Sequence, residues 1–70
     1  MRDLEMLGNV IMKERGKKGL TQRDLAKKSD VSECTITLLE KARVERPRAD
    51  TLCKLAKALE INEDTLLQYI

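Results

Sequence analysis

Apolar residues recur three and four positions apart along most of this sequence, a helical spacing that dominates it, and no strand is expected. A period near 3.6 gathers such residues on one face of a helix, whereas a half-buried strand needs a period of two. The chain is therefore expected to fold as packed helices around a shared apolar core. Leu4, Leu7 and Ile11 predict a first helix over roughly residues 3–18, weakened in its last turn by Gly16 and Gly19. Gly19 suits the left-handed position just past a helix end. Thr21 reads as the N-cap of a second helix over about 22–28, with Asp24 as a weak capping-box partner and Leu25 and Ala26 facing inward. Ser29 and Asp30 break that helix, and Val31 plugs the turn. Ser32 caps a third helix, about 33–41, whose inner face is Ile36 and Leu39. Residues 42–47 have no period and hold the only proline, so they form a loop. A fourth helix begins at Arg48 or Asp50 and carries Leu52, Leu55, Ala56 and Leu59, and Asn62 caps a short last helix with Leu66 and Leu67.

At 70 residues the chain has room for a single domain spanning 1–70, with no linker long enough to divide it. A chain of this size buries only ~60% of its unfolded surface, so its net stability is modest. It contains no histidine, which excludes a Cys/His zinc site, a histidine general base and a Ser-His-Asp triad. Cys34 and Cys53 cannot supply four thiolate ligands, and they suit a reducing compartment better than a disulfide framework. No apolar run approaches the ~20 residues of a membrane span, and the first fifteen residues have no signal-peptide core. The expectation is a cytoplasmic protein that is not an enzyme, with no metal, no cofactor, no membrane contact and no evident small-molecule ligand.

The net charge of +2 conceals an asymmetry. Residues 1–28 hold eight bases against four acids, a balance of +4, while residues 29–50 and 51–70 are each −1. Within the middle segment the bases are bunched, with Lys41, Arg43, Arg46 and Arg48 in eight positions. Two basic clusters on a nearly neutral chain suggest a footprint for a polyanion, although charged residues on this scale also simply solvate helices.

Residues 22–39 narrow the choice. Two helices joined by a tight turn need a small residue at their crossing, apolar inner faces and a turn residue tolerant of positive φ. Ala26 is the small residue, Leu25, Val31, Ile36 and Leu39 the apolar contacts, and Asp30 the turn residue. Such a unit displays its second helix outward, where it fits a B-DNA major groove, although helical hairpins without a DNA role share this pattern. The run Leu20-Thr21-Gln22-Arg23-Asp24-Leu25-Ala26, then Val31-Ser32, Thr35-Ile36 and Leu39-Glu40-Lys41, resembles the phage repressor/Cro-type (XRE-like) helix-turn-helix family. The resemblance continues through Arg46-Pro47-Arg48, residues 52–59 and Leu66-Leu67, covering roughly residues 7–68. It implies an all-α, compact five-helix repressor-like DNA-binding domain with its helix-turn-helix at about residues 22–40.

The resemblance also implies roles for individual residues. Arg15 and Glu40 match a structural ion pair joining the first helix to the end of the recognition helix. Gln22, with Arg23 beside it, matches the phosphate-contacting start of the second helix, where the helix dipole and free N–H groups favour an anion. Lys41, Arg43 and Arg46 match the basic loop that lines up on phosphates. Glu33, Cys34, Thr37 and Leu38 match the outward, base-reading positions, and Arg48 matches an arginine that enters a narrow minor groove.

The sequence departs from the family pattern in two ways. None of Arg, Lys, Asn or Gln, the strong base readers, occupies positions 33–38, so the expected readout is mostly apolar and shape-based. Glycine is also absent where the family commonly has it, at Asp30, Ala42 and Glu60. The function implied is a sequence-specific duplex-DNA-binding transcriptional regulator, a repressor acting as a homodimer on a two-fold operator and dimerising through the C-terminal region (62–70, with Tyr69 and Ile70). The alternative is a protein-interaction or antitoxin-type module that keeps the fold with weak or no sequence-specific DNA binding.

Overall fold

The computed structural model describes residues 2–70, and these form five helices and no strand: α1 Leu4–Lys17, α2 Gln22–Ser29, α3 Glu33–Glu40, α4 Ala49–Leu59 and α5 Asp64–Leu67. The first three helices start where an N-cap side chain takes up a free N–H group. Asp3 accepts from the Met6 N–H at 3.0 Å, Thr21 from Asp24 and Ser32 from Thr35. At α2 the capping box is complete, because Asp24 in turn accepts from the Thr21 N–H at 3.0 Å. Arg48 is the N-cap of α4 but makes no side-chain cap bond. Asn62 sits one position further out than a simple N-cap, since Glu63 is already helical, yet its Oδ1 still accepts from the Asp64 N–H at 2.8 Å.

Left-handed residues end four of the helices. Gly19 has φ 66°, and the Leu20 N–H donates back to the Arg15 carbonyl. Asp30 (φ 62°), Ala42 (φ 57°) and Glu60 (φ 59°) take the same conformation without being glycine. The tight turns survive the substitutions: the Arg43 N–H reaches the Leu38 carbonyl at 2.8 Å and the Ile61 N–H reaches that of Ala56 at 3.0 Å. The loop after α3 therefore turns through a left-handed residue with alanine at its pivot.

One core joins all five helices. Leu7, Ile11, Leu25, Ile36, Leu52, Leu55, Leu59 and Leu66 are fully buried, with Val31, Leu39, Ala56 and Ala58 completing the cluster. Ala26 is half-buried against it, as are Leu4, Leu67 and Tyr69. α1 packs on α3 and α5, α2 on α3 and α4, and α4 on α5. The ends of the described chain meet, with the Asp3 N–H donating to the Tyr69 carbonyl at 2.9 Å.

Gly8 is the residue that brings α1 down onto α3. A Cβ there would stand 2.5 Å from the Leu39 carbonyl oxygen and 2.8 Å from that of Glu40. Helical spacing gives no sign of this role, which depends on a partner helix more than thirty residues away.

Candidate nucleic-acid interface

The end of α3 is anchored by a buried carboxylate. Glu40 is held from α1 by the Arg15 fork, Nε to Oε2 at 2.8 Å and Nη2 to Oε1 at 3.0 Å. The remaining Arg15 nitrogen donates to the Leu20 carbonyl at 2.9 Å, tying the same guanidinium to the turn before α2. The Glu40 side chain is only 2% exposed, and the hydrogen bond to Glu40 raises the Arg15 pKa above its ordinary value. Ionised partners in bidentate geometry offset the desolvation that burial imposes.

Gln22 joins this network from the first turn of α2. Its Nε2 donates to Glu40 Oε1 at 2.9 Å, and its Oε1 accepts from the Thr37 hydroxyl at 2.8 Å. Both ends of the amide are therefore assigned, with one Nε2 hydrogen uncommitted among the described residues. Thr37, matched to an outward reading position, is half-buried and spends its hydroxyl between Gln22 and the Glu33 carbonyl, 3.0 Å away. Glu33, Cys34 and Leu38 are exposed on the same helix.

Around this centre lie the basic residues. Arg23, Lys41, Arg43 and Arg46 are all exposed. A hollow of about 270 Å³ separates α3 from the start of α4, lined by Thr35, Leu38, Leu39, Val44, Pro47 and Thr51, with Arg46 and Arg48 also on its wall. Arg48 pairs with Asp50 at 3.3 Å, but both side chains are largely exposed, so the pair holds it weakly. Arg2, far away in sequence, donates to the Glu45 carbonyl and adds a cation to this loop.

Cys34 and Cys53 are both free thiols. Burial first, then the nearby Glu63 carboxylate, pushes the Cys53 thiol upward. Among the described residues no group of three Cys, Asp or Glu side chains is placed to hold a metal, and no helix is long and apolar enough to cross a membrane.

A family model described as "Helix-turn-helix" matches residues 11–66. This span runs from the core residue Ile11 in α1 to Leu66 in α5 and so includes both α2 and α3. Comparison with curated proteins and with solved structures finds no match.

Proposed function

This chain belongs to the repressor/Cro-type (XRE-like) helix-turn-helix family, whose members are DNA-binding regulators, and we propose that it is a repressor acting as a homodimer on a two-fold duplex operator. The observation that carries this reading is the Gln22 amide, held by Glu40 and Thr37 with a spare N–H at the start of α2. An N–H donor at a helix N-terminus is suited to a phosphate oxygen. Arg23, Lys41, Arg43 and Arg46 supply the surrounding backbone contacts that set register. Arg48 enters the minor groove near the operator centre and selects for narrow, A·T-rich sequence. Leu38 and Cys34 read the major groove by apolar contact, beside Glu33, which accepts from a cytosine amino group or is repelled by phosphate. Thr37, whose hydroxyl is engaged inside the protein, contributes its methyl group to packing on thymine.

The size of one copy supports the dimer reading. The molecule measures 28 × 22 × 19 Å, whereas operator half-sites lie ~34–36 Å apart, so one copy covers one half-site. Ile70, 40% exposed, is the apolar side chain at the C-terminal end available to a second copy; Tyr69 is half-buried in its own core.

Selection of bound sequences from a random duplex library tests the whole reading. The expected result is an inverted repeat with an A·T-rich centre, bound by two copies. A salt titration on the selected site should give a log–log slope of about −0.9 per phosphate neutralised. No enrichment, together with undetectable binding at low salt, would instead leave the protein-interaction module. Glu33→Gln is expected to strengthen binding to random duplex, and unchanged affinity would remove the repulsive role.

A further inference from the structure

A second hollow, of about 260 Å³, lies between α2 and α4 and is lined by Lys28, Ser29, Lys54, Lys57 and Ala58. It is away from the proposed DNA face. Lys28 is six residues along α2 from Gln22, or ~9 Å at 1.5 Å per residue, and Lys57 is at the far end of α4 from Arg48.

The three lysines form no ion pair among the described residues. The acids one helical turn from each bond to other groups: Asp24 to the Thr21 cap and, through exposed pairs, Asp50 to Arg48 and Glu60 to Lys18. Ser29 supplies an independent observation. It is 6% exposed and lines the hollow. Its oxygen accepts from the Val31 N–H at 3.2 Å, and its hydroxyl proton has no acceptor among the described residues. A buried hydroxyl with a proton to donate, beside three ammonium groups outside any ion pair, offers a donor and positive charge to an oxyanion. The hollow is shallow and open to solvent, which suits a small charged group more than a buried apolar ligand.

We propose that this hollow binds a phosphoryl group, free or carried by a small metabolite, with Lys28, Lys54 and Lys57 neutralising its charge and Ser29 donating to it. Lysine acts here as a mobile point charge, which suits a rim that closes on a compact dianion. Because both walls are helices next to the proposed DNA surface, an occupant would tie α2 to α4.

The test is an amide NMR titration of the intact chain with sodium pyrophosphate, inorganic phosphate, a nucleoside monophosphate and hexaglutamate, each against sodium chloride at matched ionic strength. Saturable shifts centred on Ser29, Lys54, Lys57 and Ala58 with the phosphoryl ligands are expected. Binding by the nucleotide alone assigns the group to a larger molecule, and equal binding by phosphate assigns it to the free ion; both support the site. Lys54→Gln and Lys57→Gln, surface changes that leave the core intact, should each weaken binding about three- to tenfold. Ser29→Ala should weaken it further while Arg43→Gln and Arg46→Gln leave it unchanged. Equal shifts with sodium chloride or hexaglutamate, or shifts confined to residues 41–48 and the start of α2, would overturn the proposal.

Discussion

Ala42 turns the chain out of the recognition helix with φ 57°, in a conformation where a Cβ crowds the next carbonyl. Replacing it with glycine is expected to stabilise the fold by about 1 kcal/mol, raising the melting midpoint of a domain this size by ~4–8 °C. Glu60→Gly should do nearly as well, since the Lys18 pair it forfeits is exposed and worth little. Gly8 behaves in the opposite way. Gly8→Ala forces a methyl against the Leu39 carbonyl and should cost about 1–3 kcal/mol or more in urea denaturation. A midpoint unchanged from the parent would show that α1 can lift off α3. Asp24 controls an acid transition at the same scale. The Thr21 backbone N–H, and then its hydroxyl, hold the Asp24 carboxyl below its usual value. A depressed folded pKa contributes stability that is full above the unfolded value of about 3.9 and is lost as pH falls through the lower folded value. Asp24→Asn should therefore flatten the decline in melting temperature below pH 4, and an identical pH profile would discard the cap's role.

Between elements, the decisive unit is the set Arg15, Glu40, Gln22 and Thr37, which ties α1, α2 and α3 together. Arg15→Ala leaves a nearly inaccessible carboxylate unpaired, and a loss of about 3–5 kcal/mol is expected on denaturation. Replacing both partners by apolar side chains, Arg15→Met with Glu40→Leu, should recover most of that loss. Failure of the double variant to recover would mean that the Leu20 and Gln22 contacts matter more than the ion pair. Thr37→Val removes the donor that orients the Gln22 amide but retains a side chain of similar shape. Duplex affinity should fall about three- to tenfold with the salt slope little changed, because a neutral amide releases no counterion, while Thr37→Ser restores the affinity. The sequence located α1, α2, α3 and the start of α4 to within one residue, and placed α5 by its cap, because apolar spacing and capping residues are local properties. It could not show that Thr37 turns inward to Gln22: helical phase puts position 37 near the edge of the exposed face, and only a partner on α2 decides which way a hydroxyl bonds.

Across the whole molecule, the joined ends make α1 and α5 a closing pair. Removing residues 68–70 takes away the acceptor of the Asp3 N–H and the packing of Tyr69, and should lower stability by about 1–3 kcal/mol. Unaltered urea unfolding would show that this closure contributes nothing. Charge has the same global character. A net +2 says little about a partner until folding separates the bases near α2's start and the 41–48 loop from the lysines that surround Ser29. From its residues alone, the chain determined its helical class, the order and limits of its helices, its core leucines and its family, because these depend on spacing along the chain. Tertiary structure alone decided that Gly8 is a contact, that Thr37 serves Gln22, that Tyr69 is half used in its own core, and that three lysines share a hollow. Each of these joins residues distant in sequence, and such proximity is set by how the helices cross rather than by the period of any one of them.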